Sequence, residues 1–504
     1  MKKILRFLTQ RVVLTALLIL IQALLLFGII WKLNNYFIYF YAFSVLLSLL
    51  LTLRIINNKS NPAFKIAWLI PILLFPVLGG LVYLVFGSDR TGKYIRNKMG
   101  RIEKEMQDGI SKANERSGIE KMPPDVVNQS HYISNSAHCP PYKNTTVEYL
   151  PMGEVKFERM VQELKKAKRY IFMEYFIIQE GTMWNTILDV LEEKAKEGVD
   201  VRVIYDDMGC ILTLPTGYEK TLREKGIQCQ IFNPFIPILS SHFNTRDHRK
   251  ICVIDGNVGF TGGINLADEY INGYEKHGHW KDTAILLKGE AVFSLTTMFL
   301  SMWDYLIKKE GEDYAAYYPD SWDENAQGIV QPFADNPLDD EAVGETVYLN
   351  LINKAKRYVY ITTPYLILSN EMVTAMNTAA KSGVDVRIIT PHVPDKWYVH
   401  AVSRMLVEAG VKIYEYTPGF VHAKTFVVDD EYAVVGTINL DYRSLYLHFE
   451  CAAWMYKASC VTDVRDDFLK TQQMSQEITL EECRNISIPR RLGRSVLRVL
   501  APLM

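Results

Sequence analysis

The chain has 504 residues, which is enough for about three domains of ordinary size. Its 56 Lys and Arg nearly balance 57 Asp and Glu, so the formal net charge is −1 at pH 7. This balance gives no support for a nucleic-acid partner, which normally requires a strongly basic surface. The seven cysteines contain no C-x-x-C pair, so neither a zinc site nor a disulfide framework is indicated.

Residues 1–90 are overwhelmingly apolar and are predicted to anchor the protein in a membrane. The apolar segments are Val12–Trp31, Tyr36–Ile56 and Phe64–Phe86. The first two have the length of about 20 residues that a helix needs to cross a bilayer. The first also lacks the short apolar stretch and the cleavage site of a signal peptide. Prolines and glycines interrupt the third segment (Pro71, Pro76, Gly79 and Gly80), which favours a re-entrant hairpin, with a third crossing as the alternative.

Basic residues around these segments predict their orientation. They precede the first segment and follow the second and third: Lys2, Lys3, Arg6 and Arg11; Arg54, Lys59 and Lys65; Arg90, Lys93, Arg96, Lys98 and Arg101. Only Lys32 lies between the first two segments. Because basic loops stay in the cytoplasm, the pattern predicts a multi-pass membrane protein with its larger region on the cytoplasmic side.

The remaining 414 or so residues divide by composition. A polar, proline-containing connector is predicted over 91–147, and an acidic linker over 309–341 separates two mixed regions, 148–308 and 342–483. The end of the chain, 484–504, carries Arg490, Arg491, Arg494 and Arg498 among apolar residues. This tail is either an amphipathic helix on anionic lipid or a packed terminal helix with a solvated basic face.

The two mixed regions repeat each other. K-A-K-R-Y-I-F at 166–172 is matched by K-A-K-R-Y-V-Y at 354–360, and G-V-D-V-R-V-I at 198–204 by G-V-D-V-R-I-I at 383–389. The order is the same in both, which indicates a duplicated domain. In the first copy the pattern predicts strands over Tyr170–Ile178 and Val199–Tyr205 around a helix over Met183–Glu197, with Gly198 and Gly383 as helix ends. Alternating strands and helices favour an α/β sandwich in each half.

Each copy ends in the same sparse motif, with His, Lys, Asp, Gly and Asn at matching offsets. The residues are His248, Lys250, Asp255, Gly262 and Asn265, and again His422, Lys424, Asp429, Gly436 and Asn439. One such match arises easily by chance, whereas two in phase within a long repeat do not. The motif falls on a predicted strand, so the His and the Lys two residues later point to the same side.

This pattern suits attack on a phosphodiester. If the two halves share one site, one imidazole can attack phosphorus while the other protonates the departing alcohol. Lys250 and Lys424 suit the phosphoryl oxygens, and Asn265 and Asn439 add amide donors. The motif lacks the carboxylate cluster that Mg²⁺ prefers, and neither a metal nor another cofactor is predicted.

Four acidic residues accompany the motifs. Asp282 and Glu450 follow the motifs at similar distances, and each is predicted to orient the His of its own half. Asp255 and Asp429 are counted with the catalytic set, but because they fall in turns they could equally hold the strand end. Four histidines without repeated counterparts are predicted to lie outside the catalysis: His242, His277, His279 and His448.

The paired motifs resemble the phospholipase D superfamily, whose signature is H-x-K-x-x-x-x-D followed by G-x-x-N. Three stretches are similar to bacterial cardiolipin synthases in particular: 68–87, 247–270 and the ending L-A-P-L-M. The resemblance implies a duplicated phospholipase D-like α/β sandwich with one shared site. It also implies that two phosphatidylglycerols become cardiolipin and glycerol through a phosphatidyl-histidine, with His248 as nucleophile and His422 as acid and base.

Three other functions remain as alternatives. A phospholipase D or phosphatidylserine synthase would use the same chemistry with another acceptor. A nucleic-acid phosphodiesterase is disfavoured by the near-neutral charge. A non-catalytic membrane scaffold is disfavoured because all six His, Lys and Asp positions of the two motifs are intact.

Overall fold

The computed structural model of the protein describes residues 11–32, 37–87, 118–235, 244–308, 313–339, 341–393 and 403–484, with shorter stretches within 96–110 and 493–503. The basic residues of the tail (Arg490, Arg491, Arg494 and Arg498) and His242 lie outside the described residues. The same holds for Lys2, Lys3, Arg6, Arg90, Lys93 and Lys98.

The N-terminal region is helical. Its helices are α1 (Arg11–Lys32), α2 (Phe37–Asn57), α3 (Pro62–Leu74) and α4 (Pro76–Val82), followed by a π-helical turn, Tyr83–Gly87. In the part of the chain that the structure describes, no helix is long and apolar enough to cross a membrane. The predicted crossing by α1 and α2 therefore receives no support from the structure.

The third apolar segment is broken, as its prolines and glycines predict. Helix α3 ends at Leu74, and α4 begins at Pro76, where proline's missing N–H is tolerated in a first helical turn. Asn61 caps α3 by accepting the Ala63 N–H at 2.9 Å. A small core formed by Leu51, Ile55, Ile72 and Tyr83 joins α2, α3 and the π turn.

The first half is a seven-stranded sheet in the order β1-β9-β7-β6-β2-β3-β4. Its strands are β1 (Thr145–Leu150), β2 (Tyr170–Tyr175), β3 (Asp200–Asp206), β4 (Gln228–Phe232), β6 (Lys250–Ile254), β7 (Val258–Gly262) and β9 (Ala284–Gly289). Short strands β5 (Arg246–Asp247) and β8 (His279–Lys281) pair outside this sheet. The helices are α5 (Pro124–Ala137), α6 (Gly153–Leu164), α7 (Thr182–Lys196), α8 (Asp207–Cys210), α9 (Tyr218–Glu224) and α10 (Val292–Ile307).

The second half repeats this order as β10-β17-β16-β15-β11-β12-β13-β18. Its strands are β10 (Ile329–Asp335), β11 (Tyr358–Thr362), β12 (Asp385–Pro391), β13 (Lys412–Tyr416), β14 (Gly419–Val421), β15 (Thr425–Val428), β16 (Tyr432–Gly436), β17 (His448–Tyr456) and β18 (Ser475–Glu477). The helices are α11 (Val343–Lys354), α12 (Asn370–Lys381), α13 (Ser403–Glu408), α14 (Tyr442–Tyr446), α15 (Val461–Gln473) and α16 (Leu480–Arg484). The predicted mixed α/β fold of two similar halves is confirmed.

Two predicted boundaries need correction. Part of the predicted connector forms α5, which packs on the second half: Gln331 donates to Ser130 O at 3.1 Å. Part of the predicted acidic linker forms β10, which pairs antiparallel with β17 as β1 pairs with β9. Strands β1 and β10 each begin their half, in stretches where the two sequences do not match. Comparison of the repeats therefore could not predict β10.

The predicted elements of the repeat are otherwise close to the observed ones. Gly198 and Gly383 have φ of 91° and 94°, a left-handed conformation that glycine adopts without strain after a helix. Side chains of β6 alternate between two cores. Cys252 and Ile254 pack in the outer core of the first half, while Ile251 and Val253 join a larger core that extends into the second half. The two halves therefore share buried apolar surface.

Candidate active site at the junction of the halves

Two short parallel pairings join the halves where the motif strands begin. Strand β5 pairs with β17, and β14 pairs with β8, so each half lends a strand to the other. The His248 N–H donates to Phe449 O at 2.9 Å, and the His422 N–H donates to Lys281 O at 2.7 Å. Each motif histidine is thus fixed by the backbone of the opposite half. These pairings bring the starts of both motif strands to the junction of the halves, where a shared site is expected.

The acids that hold the histidines are exchanged between the halves. Glu450 follows Phe449 directly, and both its carboxylate oxygens lie 2.9 Å from His248 Nδ1. Asp282 follows Lys281 directly, and its Oδ2 lies 2.7 Å from His422 Nδ1. Asp282 and Glu450 are therefore the orienting residues, but the expectation that each serves its own half is wrong. The sequence distance could not reveal this, because the exchange depends on the β5–β17 and β8–β14 pairings.

A carboxylate at Nδ1 sets the tautomer of each imidazole. The Nδ1–H donates to the acid, which leaves Nε2 as the deprotonated nitrogen. Both rings and both acids are buried, and each histidine is only 7% exposed. Each pair is an imidazole held in one orientation, which is the arrangement that covalent and acid–base catalysis require.

The two motif lysines are buried next to these pairs. Lys250 Nζ donates to His248 O, and Lys424 Nζ donates to His422 O. Burial, and after it the charge of Lys424, lowers the pKa of Lys250 to about 7, although Glu450 and Asp282 oppose this. Lys250 and Lys424 are close enough to interact electrostatically, and both are cations of the kind that binds the oxygens of a phosphate.

The electrostatics of His422 are distinct. Lys424 Nζ lies 2.8 Å from His422 Nδ1. Burial and the Lys424 charge lower the pKa of His422 to about 4, against the opposing effect of Asp282. Burial raises the pKa of Asp282, but Lys424 and His422 outweigh it, so the carboxyl's pKa is lowered. The imidazole of His422 is therefore neutral and Asp282 ionised at pH 7.

The two acids are supported differently, through residues that sequence reasoning missed. Ser444 Oγ donates to Glu450 Oε1 at 2.5 Å, and Thr437 Oγ1 donates to Glu450 Oε2. At the position equivalent to Thr437 the first half has Gly263, where a Cβ would lie 2.1 Å from Asp282 Oδ1. The sequence carries this difference. The first motif reads G-G-I-N and its acid is Asp282, whereas the second reads G-T-I-N and its acid is Glu450.

The motif asparagines occupy equivalent positions but have different contacts. Asn265 accepts the Ile177 N–H at 3.1 Å and donates to Tyr270 OH at 2.6 Å. It thereby positions Tyr270, whose ring packs edge-on against His422 with centroids 5.6 Å apart. Among the described residues, Asn439 Oδ1 is buried without a hydrogen-bond partner. The Asn265 amide thus bonds the scaffold through both its oxygen and its nitrogen, whereas the Asn439 oxygen has no partner among the described residues.

Asp255 and Asp429 do not reach the histidines. Asp255 accepts the backbone N–H groups of 168–170, and Asp429 accepts those of 356–358. Both have left-handed φ, 53° and 56°, as expected for Asp in a turn. They follow strands that begin at the catalytic end, roughly 15 Å away at the rise of an extended chain. Their inclusion in the catalytic set is corrected to the alternative role, that of holding the strand end.

The other histidines differ in their distance from the site. His277 packs against Trp280, and His279 Nδ1 lies 2.9 Å from Tyr416 OH. These contacts give both side chains a structural role, as predicted for histidines outside the catalytic set. His448 is closer than predicted: its ring centroid is 5.7 Å from that of His248. Burial lowers the pKa of His448 to about 4, although Glu450 opposes this.

One group of side chains among the described residues has the composition of a metal site. Ligand atoms of His248, His448 and Glu450 all lie within 4.8 Å of one another. Two imidazoles and a carboxylate suit zinc. An ion there would compete with the proton that links His248 to Glu450, so binding it would oppose the acid–base role of this pair.

The chain is similar to known proteins in both sequence and fold. The sequence profile of the family described as "Cardiolipin synthase, PLD-like domain" matches residues 160–303 and 348–472, more than half of the chain. The chain belongs to this family. A second profile, "Phospholipase_D-nuclease N-terminal", matches residues 46–88, the region of α2 to the π turn. The two matched stretches of the first profile contain both motifs and both orienting acids.

Individual relatives extend over most of the chain. A cardiolipin synthase of Geobacillus kaustophilus is 36% identical over 477 residues, which are 92% of this chain and 94% of that protein. An uncharacterised protein of Streptococcus mutans is 46% identical over 461 residues, 90% of this chain and 99% of that one. The crystal structure of a phosphatidylserine synthase of Haemophilus influenzae superposes on 74% of this chain and 100% of its own, with a TM-score of 0.57 at 15% identity. That likeness shows the shared fold.

Proposed function

We propose that this protein is a cardiolipin synthase, which transfers the phosphatidyl group of one phosphatidylglycerol to a headgroup hydroxyl of another and releases glycerol. The observation that carries the proposal is the pair of oriented histidines, one from each half, in a chain that belongs to the cardiolipin synthase family. One imidazole forms a phosphatidyl-histidine, and the other transfers protons to the leaving glycerol and from the accepting hydroxyl.

The roles of the individual residues are part of the proposal. The resemblance to the family favours His248 as the nucleophile and His422 as the acid and base. A bound phosphodiester raises the pKa of His422 because an adjacent negative charge favours the imidazolium, and this loads the proton that glycerol requires on departure. Lys250, Lys424 and Asn439 neutralise or bind the nonbridging oxygens, so the lysines supply the charge stabilisation needed for phosphoryl transfer.

We also propose that the N-terminal helices hold the enzyme in the cytoplasmic membrane with the two halves in the cytoplasm. Large apolar side chains of these helices are exposed in the structure: Leu24, Phe27, Trp31, Ile38, Phe43, Leu46, Leu53, Ile66, Leu74 and Phe75. Such a surface is stable in contact with lipid. The two-span topology stays a prediction from hydropathy and charge. Protease protection of right-side-out and inverted vesicles tests it, because the two halves should be digested only in inverted vesicles.

One assay tests the proposed reaction. The purified full chain is supplied with phosphatidylglycerol as the sole lipid, with a chelator present, and the products are followed. Cardiolipin with equimolar glycerol is the expected result. Phosphatidic acid alone would instead indicate a phospholipase D, and formation of phosphatidylserine on addition of serine would indicate that other acceptor. Loss of turnover to the chelator would contradict the absence of a metal requirement.

A further inference from the structure

A cavity of about 310 Å³ lies between the N-terminal helices and the second half. Lys59, Asn61 and Trp68 line it from the helical side, and Asp335, Tyr446 and His448 line it from the other. Two contacts hold the walls together. Asn61 Nδ2 donates to Tyr446 OH at 2.9 Å, and the ring of Phe64 packs edge-on against that of Tyr446. We call this space the junction cavity.

The inner end of the junction cavity is adjacent to the active site. His448 lines the cavity, and its Nδ1 lies 3.8 Å from Glu450 Oε1, the carboxylate that holds His248. The rings of His448 and His248 are 5.7 Å apart. A molecule in the cavity is therefore separated from the His248–Glu450 pair by a single imidazole.

The outer end adjoins the exposed apolar surface of the helices. Ile55 and Lys65 line the cavity, and their neighbours in sequence, Ile56 and Ile66, are each 53% exposed. These side chains belong to the surface that we propose to contact lipid. The cavity therefore lies between the helices that we propose to contact lipid and His448, the neighbour of the His248–Glu450 pair.

The charges of the lining suit a ligand with both an anionic and a hydroxyl-bearing part. Cations line the cavity at Lys59, Lys65 and Arg96, and acids line it at Asp335, Asp339 and Glu341. Among the described residues, Lys59 Nζ forms no ion pair, so its charge is available to a phosphate. Carboxylates and the Asn61 amide accept or donate hydrogen bonds to hydroxyls. A phosphodiester of glycerol presents both kinds of group, whereas a phosphocholine headgroup presents a quaternary ammonium and no hydroxyl.

We propose that the junction cavity binds the phosphoglycerol headgroup of phosphatidylglycerol on its way between the bilayer and the catalytic histidines. The proposal rests on the proposed function and adds a substrate site to it, outside the pair of motifs. It also assigns the N-terminal helices a part in substrate binding, since they form one wall of the cavity.

Photocrosslinking in the full chain tests occupancy. A benzoylphenylalanine replaces Ser60 on one wall or Ala342 on the other, both of which line the cavity, in a His422→Asn background that prevents turnover. Vesicles contain either phosphatidylglycerol or phosphatidylcholine. We expect labelling by phosphatidylglycerol to exceed that by phosphatidylcholine at least fivefold, and soluble glycerophosphoglycerol to compete. Competition by inorganic phosphate at the same concentration would reduce the site to a general anion site, and equal labelling by the two lipids would overturn the proposal.

Kinetics of a charge variant give the second measurement. Lys59→Gln should raise KM for phosphatidylglycerol about tenfold, the loss of one hydrogen bond to a charged group, with kcat nearly unchanged. Lys381→Gln is the matched control, because Lys381 is exposed at the end of α12 and far in sequence from the cavity. An unchanged KM in Lys59→Gln would contradict the site even if cardiolipin forms normally. Preferential labelling of the inactive variants together with no cardiolipin formation by the wild-type chain would instead preserve the site and overturn the proposed function.

Discussion

His248 and His422 occupy equivalent places in the two halves but have different surroundings. Each donates its backbone N–H to the opposite half and bonds an acid from there. At equivalent positions beside them stand His448 and Trp280, each with its ring centroid 5.7 Å from the neighbouring motif histidine. One imidazole therefore has a second titratable ring beside it, and the other has an apolar indole.

The support of the two acids differs in the same way. Glu450 accepts hydroxyl hydrogen bonds from Ser444 and Thr437, while Asp282 accepts the Thr283 N–H and interacts with Lys424. The duplicated backbone thus places two similar pairs, and side-chain differences give them different hydrogen-bond partners and neighbouring charges. The two halves therefore present two imidazoles in unequal surroundings, which suits the proposed reaction, in which one attacks and the other transfers protons.

The largest effect is expected on removing either histidine. His248→Ala and His422→Ala should each lower kcat by at least about 10⁴, because nucleophile and acid act as a unit in one site. The measurement is cardiolipin formation by the purified variants at equal vesicle surface. Two independent sites would predict about half of the activity in each variant, so a residual rate near half would overturn the shared site.

Exchange of the acids between halves makes the next prediction. Glu450→Gln and Asp282→Asn should each lower kcat about 10²- to 10⁴-fold, because an amide no longer fixes the Nδ1–H tautomer. In ¹⁵N spectra of the imidazoles, Glu450→Gln should change the signals of His248 and leave those of His422 nearly unchanged. Thr437→Val removes the hydroxyl donor to Glu450 together with its hydrogen bonds to the Cys451 backbone, but it leaves the carboxylate in place, so it is the milder control and should cost about tenfold. A response of His422 to Glu450→Gln would contradict the exchanged pairing.

The sequence predicted much of this site because duplication makes motif positions comparable. The repeated motif identified both histidines, both lysines and the two acids, and the glycines Gly198 and Gly383 marked two helix ends. It did not reveal which acid serves which histidine, since that depends on pairings between strands of two or three residues. Nor did it reveal β10 or the nearness of His448 to His248, because neither has a repeated sequence counterpart. Comparison of the two copies cannot predict the positions of residues that differ between them.

The lysines predict how the rate depends on pH. Burial lowers the pKa of Lys250 to about 7, so its charge is present below pH 7 and is lost as the pH rises through 7. We expect kcat/KM to fall on the alkaline side with an apparent pKa near 7 that belongs to the Lys250–Lys424 pair. Lys250→Arg should move this limb upward, because a guanidinium stays protonated, while lowering the maximum about tenfold through its altered shape. An unmoved alkaline limb would show that another group governs it.

The smallest effect on turnover is expected for the motif aspartates, which separates them from the other motif residues. Asp429→Asn keeps a side chain that tolerates the left-handed backbone but replaces an oxygen that accepts the Lys356 N–H at 2.7 Å. Loss of that part-buried hydrogen bond should cost roughly 0.5–1.5 kcal/mol in the free energy of unfolding. Turnover per folded molecule should change less than about threefold, since the hydrogen bonds of this carboxylate among the described residues go to the backbone at 356–358. Asp255→Asn is the matched variant in the first half and should behave alike, because Asp255 accepts the equivalent N–H groups.

Denaturant unfolding and the rate of the folded fraction are measured on the same preparations. A loss of kcat as large as that of Glu450→Gln, with unchanged stability, would return the aspartates to the catalytic set. We expect the opposite result, which is a lower stability with a nearly unchanged kcat. It would show that the end of each motif strand that meets the other half carries the chemistry, and that the far end stabilises the fold.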